Sequence, residues 1–146
     1  MRFHLIDRVV SYEPGKAVHG RKLTSLSEEY WEETPEGLRM PPPLALEALC
    51  QAGTWLIMIT TERQKRAALL SIGSVEFNAD VRPGDVIELL GHVESMSDEV
   101  AVLSGTATVD GTVVMEAKDI MCALIDVETL APLEDTKRLQ GVMWRG

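Results

Sequence analysis

The sequence predicts an α+β domain, one long buried helix with a curved antiparallel sheet lying against it. Two observations predict the elements and a third predicts how they connect. Residues 44–63, LALEALCQAGTWLIMITTER, form an apolar stretch of helical length. A helix that is apolar on nearly every side is a buried one. From residue 67 the period changes to two. AALLSIGSVEFN (67–78), VIELLGHVESM (86–96), VAVLSGTATVD (100–110) and TVVMEAKDIMCALIDV (112–127) all read as strands. Turn signals separate them: VRPGD at 81–85, SDE at 97–99 and DG at 110–111. The last is a strong tight-hairpin signal. Four antiparallel strands in meander order are therefore expected.

The residues before the helix are punctuated more finely. EPG at 13–15 marks a turn, and KAVHGRKLT at 16–24 alternates as a strand does. SLSEEYW at 25–31 suggests one short helical turn capped by Ser25 or Ser27. Pro41, Pro42 and Pro43 follow. A proline is excluded from a helix interior but tolerated in its first turn, so Pro43 suits that position. The N–H groups of Leu44 and Ala45 would then be free donors at the helix start. The domain is expected over 1–128, with 129–146 a C-terminal tail that carries one short helix and the apolar residues Val142, Met143 and Trp144.

Composition narrows the function. A chain of 146 residues is long enough to bury one real core. Its formal charge of −9 is unsuited to nucleic acid, whose phosphates need a basic surface. The N-terminus, MRFHLIDRVV, lacks the apolar region of a signal peptide, and no run of about 18 uncharged apolar residues occurs, so no transmembrane helix is expected. A cytoplasmic location is expected. Cys50 and Cys122 lie in apolar runs and read as buried thiols. No Cys/His cluster has metal-ligand spacing, so neither a metal nor a cofactor is expected.

One carboxylate interrupts the apolar helix. Glu47, Gln51 and Thr54 fall at i, i+4 and i+7, on one stripe. The stripe is either the helix's exposed edge or the polar wall of a cleft. It carries one charge in four turns, thin for a solvent face. In a cleft, desolvation would suit Glu47 to proton transfer.

RFHLIDRVVSYEPGK, RMPPPLALEALCQAG, VEFNADVRPGD and GTATVDGTVVMEAKDIMCALID together resemble the β-hydroxyacyl-acyl carrier protein dehydratases, over about residues 1–127. The resemblance implies the hotdog fold, a long helix wrapped by an antiparallel sheet and dimerised through sheet edges. It implies a site in which a His works at the substrate α-carbon and a helix carboxylate handles the β-hydroxyl. A glycine N–H at the helix start holds the thioester oxygen, where charge develops. On that motif the carboxylate falls on Glu47 and the following Gln on Gln51. The His falls on Glu33, and the glycine falls on Pro42, which has no N–H. His4, His19 and His92 lie elsewhere in the chain.

The resemblance thus points to Glu47, with Glu33 as a replacement base, as catalytic candidates. Gln51, Leu44, Pro43 and Met40 become substrate contacts. Arg82 and Arg39 become candidates for meeting an acidic carrier protein, in a segment, FNADVRPGD, otherwise poor in positive charge. The implied partner is an acyl thioester of acyl carrier protein or CoA. A homodimer, or a pair with a hotdog paralogue, is implied as well. Three functions follow: a dehydratase-like protein with altered or lost catalysis, an acyl-thioester hydrolase using Glu47, or a non-catalytic acyl-binding or partner subunit.

Overall fold

The computed structural model describes residues 5–127. The order of elements is β1 (Arg8–Glu13), β2 (Ala17–Leu23), β3 (Glu32–Thr34), β4 (Gly37–Arg39), α1 (Pro42–Thr60), β5 (Lys65–Phe77), β6 (Val86–Met96), β7 (Val100–Val109) and β8 (Thr112–Asp126). The expected tail, with Val142, Met143 and Trp144, lies outside the described residues, as does His4.

α1 runs 19 residues, about 28 Å at the usual rise per residue. It lies against one face of a six-stranded antiparallel sheet and touches β2, β5, β6, β7 and β8. Ala48, Ala52, Leu56 and Ile57 are wholly buried there, against Ile87 and Leu89 of β6, Ala101 and Ala107 of β7, and Met115 and Ala117 of β8. By length and composition alone α1 could cross a membrane; here it is the core helix.

The four long strands form where the period of two places them, but their order differs from a simple meander. The sheet runs β1-β2-β6-β7-β8-β5. β6, β7 and β8 are consecutive hairpins, whereas β5 pairs with β8 at the far edge and β6 pairs with β2. The connection after β5 is why. Residues 78–85 do not turn back on β5. Val81 accepts a hydrogen bond from Met40 N–H, and Asp80 holds Arg39, so the chain crosses the sheet end beside the helix start.

The DG signal is a tight turn, with Asp110 at φ 50° and Gly111 at φ 80°, the left-handed pair that a two-residue hairpin demands. A second glycine is needed for space. A Cβ on Gly105 would stand 2.4 Å from Leu90 O, so only glycine lets β7 lie this close to β6.

Three further differences precede the helix. β1 and the small hairpin β3–β4 have too few alternating residues to be read as strands. Residues 25–31 contain no helix. Their side chains are drawn elsewhere: Glu28 to the buried ammonium of Lys22 at 3.2 Å, and Trp31 Nε1 to Ser25 O at 2.8 Å. Finally, α1 begins at Pro42, so both Pro42 and Pro43 sit in its first turn, and it ends at Thr60, short of residue 63.

Candidate functional site

The first two positions of the helix have no donors. Pro42 and Pro43 have no N–H, Pro41 precedes the helix, and no side chain caps it. The first N–H available is that of Leu44, and it donates to Pro41 O at 2.9 Å. Leu44 is therefore not the free donor expected. The first turn also carries no acidic residue. The usual anion-holding property of a helix N-terminus rests on exposed N–H groups, and at 42–44 there are none to offer.

A cavity of about 280 Å³ opens beside this end. Met40, Ala45, Val81 and Met115 make its apolar wall, with Arg39, Asn78 and Asp80 on the polar side. The polar side is held by a chain of ion pairs. Arg39 Nε meets Glu32 at 2.6 Å across the hairpin, and its Nη1 reaches Asp80 at 3.4 Å. Asp80 also pairs with Arg82, whose Nη1 donates to Leu38 O at 3.0 Å. The hydrogen bond to Glu32 holds the Arg39 guanidinium above its ordinary pKa. Both arginines expected to meet a carrier are thus matched by carboxylates of their own chain.

Of the expected site residues, Met40 and Arg39 line this cavity, as does Pro42. Glu33, Glu47 and Pro43 are exposed, and Leu44 is half-buried against the core. Glu33 sits on β3, opposite Leu38. Glu47 forms no ion pair among the described residues, and its own chain leaves it open to solvent. Gln51 is half-buried, and its Oε1 accepts the N–H of Leu5, tying the first described residue to the helix. Thr54 Oγ1 donates to Cys50 O within the helix. The stripe is therefore mixed: an open carboxylate followed by two side chains with bonds inside the fold.

His19 and His92 lie on the sheet and are held by carboxylates. His19 bonds Glu88, which also accepts from Arg21 at 2.8 Å, and His92 bonds Glu94 at 2.7 Å. Burial works to raise the Glu88 carboxyl, but the hydrogen bonds from His19 and Arg21 outweigh it and hold the group below its ordinary value. Asp80 was the site residue hardest to read. Beside Arg82 it appears only as a reduction of positive charge, while the fold makes it the bridge between two arginines.

A family model described as the FabA-like domain matches residues 1–118. A 3-hydroxyacyl-acyl-carrier-protein dehydratase FabZ from Roseiflexus castenholzii is 37% identical over 124 residues, covering 84% of this chain and 86% of that protein. Among solved structures, a Streptococcus mutans protein bound to acetyl CoA superposes with a TM-score of 0.68 at 17% identity, over 86% of this chain and 93% of the other. A dehydratase heterocomplex from Xenorhabdus doucetiae gives 0.65 at 17% identity, over 94% and 89%. At these identities the two structures establish the architecture, a six-stranded antiparallel sheet on one long helix.

Proposed function

This chain belongs to the FabA-like family, and from that premise we propose that it is an acyl-thioester-binding hotdog protein whose dehydratase chemistry is altered or lost. The observation that carries this reading is the helix start. Removing the α-proton of a thioester puts negative charge on its oxygen, and one well-placed donor there is worth roughly 10²–10³ in rate. Pro42 and Pro43 supply none, and Leu44 N–H is already bonded to Pro41 O. Glu33, where the resemblance places a His, leaves two carboxylates, Glu33 and Glu47, to share any proton transfer.

The thioester reading draws support from the cavity beside the helix start and from the dehydratase relatives. Carrier docking would receive little steering from Arg39 and Arg82, since Glu32 and Asp80 offset them. Glu47 stands open on the single chain, and the edge strand β5 exposes Leu69 and Leu70. Both features favour a second hotdog chain, identical or paralogous, laid along β5 and enclosing Glu47. The dehydratase of Xenorhabdus doucetiae is described as a heterocomplex, which makes the paralogous pair a concrete version of this reading.

The test follows enoyl-thioester hydration and thioester hydrolysis on the purified chain, with Glu47→Ala and Glu33→Gln beside it. The expected result is hydration at least 100-fold below a FabZ dehydratase assayed in parallel, in line with one missing oxyanion donor. Hydration at full dehydratase rate would overturn the proposal. Hydrolysis that depends on Glu47 would replace it with the hydrolase reading.

A further inference from the structure

α1 covers only one face of the sheet. The residues of β7 and β8 turned toward it, among them Ala101, Leu103, Ile120 and Leu124, are buried in the core. Their alternates point the other way, because successive side chains on a strand face opposite sides. On that outer face Val100 stands opposite Ala123 and Val102 opposite Met121. Ala68 of β5 stands on the other side of Ala123, and Ile125 is the next outward residue of β8. These six side chains form one apolar patch across three strands. Met121 is 39% exposed, and the other five are half-buried. The opposite end of the same face is polar, with His19, Glu88, Thr106 and Glu116. Single exposed apolar residues are ordinary, but a contiguous group marks a surface that something covers.

The chain leaves the described residues beside this patch. Ile125 belongs to it, and two residues later the N–H of Val127 donates to Gln64 O at 3.1 Å. The sequence that follows has two halves. Residues 128–135 carry Glu128, Glu134 and Asp135, whereas 136–146 carry Lys137, Arg138 and Arg145 together with Leu139, Val142, Met143 and Trp144. The second half is both apolar and basic. The first half is long enough to deliver it: eight residues extend to roughly 27 Å, and the patch measures roughly 17 Å along β8 and 10 Å across the strands.

Charge completes the match. Asp98 and Glu99 are exposed in the turn before Val100, and Asp126 ends β8 at the same end of the sheet. Lys65 holds Asp126 at 2.7 Å, while Asp98 and Glu99 form no ion pair among the described residues. Basic side chains are the complement of that border. A second copy laid patch to patch would instead set the same carboxylates against each other, in a chain whose formal charge is −9.

We infer that residues 136–146 dock on the outer face of their own chain's sheet, with apolar side chains against Met121, Val102 and Ile125 and basic ones toward Asp98 and Glu99. A tethered segment meets its site at an effective concentration of about millimolar, whatever the protein concentration. The inference does not depend on the acyl-thioester reading, since the patch lies on the sheet face turned away from α1.

Tryptophan fluorescence of the full chain tests it. Subtracting the emission of Trp144→Phe isolates the signal of Trp144. In the unaltered chain that signal should lie to the blue of exposed tryptophan, and acrylamide should quench it about threefold less than in Met121→Glu, as for a covered indole. Val102→Thr keeps a β-branched residue in the strand and should shift Trp144 the same way if Met121→Glu fails to fold. Equal quenching in the unaltered chain and in both variants would overturn the docking, whether Trp144 is exposed throughout or protected throughout. Refolding Met121→Glu together with Trp144→Phe separates one chain from two. Trp144 should stay exposed; its return to protection would put the segment on a partner's patch and overturn docking within the chain. An assembly seen by light scattering that Met121→Glu dissociates, with Trp144 exposed throughout, would give the patch to a second copy and overturn it as well.

Discussion

The two ends of α1 are built in opposite ways. At the C-terminal end the outgoing carbonyls are answered. Thr61 N–H bonds Ile57 O, Glu62 N–H bonds Ile59 O, and Arg63 N–H bonds Met58 O at 2.8 Å. The last two are the paired bonds of a Schellman closure. This end is also the buried one, with Trp55, Leu56, Ile57 and Met58 in succession inside the fold. The N-terminal end has three prolines, no side-chain cap and an open cavity at its side. One end is closed into the core. The other opens onto a cavity, and its positions 42–44 lack the free donors that a helix start ordinarily offers. The packing of a helix and the donors at its terminus can therefore vary separately, since the two depend on different atoms.

The largest expected effect tests the packing half of that contrast. Leu56 is fully buried, while Leu44 is half-buried at the rim. Leu56→Ala should cost about 2–5 kcal/mol of stability, the range for emptying a well-packed core position. Leu44→Ala should cost clearly less, about 1 kcal/mol, because part of its surface already faces water. Urea unfolding of both variants measures the difference. Equal losses would mean that the N-terminal end belongs to the core as fully as the C-terminal end does.

The chemical half is tested by returning a donor. Pro42→Gly restores one N–H at the helix start where the resemblance places a glycine. If the missing donor limits the chemistry, Glu47-dependent hydration should rise about 10–100-fold, the lower part of what one oxyanion donor contributes. Stability should fall by about 1 kcal/mol, since glycine loosens the unfolded chain and gives up proline's preset first turn. An unchanged rate, with the fold intact by circular dichroism, would rule out Pro42 as the group that limits the chemistry.

What the sequence disclosed follows the same division. The buried helix was legible from its all-round apolarity, and β6 to β8 from burial close to a period of two; β5 has no buried residue and was legible only as an apolar-rich run between the helix and a turn signal. The DG turn was legible because two left-handed residues are needed there. Strand order was not, because pairing of β5 with β8 depends on where residues 78–85 are anchored, and Arg39–Asp80 and Met40–Val81 are contacts between distant segments. At the site, the missing N–H groups of Pro42 and Pro43 could be read from residue type alone. The engagement of Leu44 N–H by Pro41 O could not, since it depends on how the backbone turns. The matching of Arg39 and Arg82 by Glu32 and Asp80 was hidden for a different reason. Charge composition counts carboxylates without saying which ones meet a guanidinium.

The smallest effect sharpens the contrast at the closed end. Glu62 occupies the position of the Schellman closure that normally takes glycine, and its φ is 52°. A side chain there costs about 1–2 kcal/mol relative to ordinary helical backbone. Its negative charge also sits just beyond the negative end of the helix, which adds a few tenths of a kcal/mol against it. Glu62→Gly relieves both but loosens the unfolded chain, so the net gain should be about 0.5–1 kcal/mol, a rise of a few degrees in Tm for a domain of this size. Glu62→Ala separates the two causes: it removes the charge but keeps the Cβ in the left-handed region, and should recover only the smaller, salt-screened part. Thermal unfolding of the two variants at low and high salt gives the answer. A gain for alanine equal to that for glycine would mean that the closed end is burdened by charge and not by backbone strain.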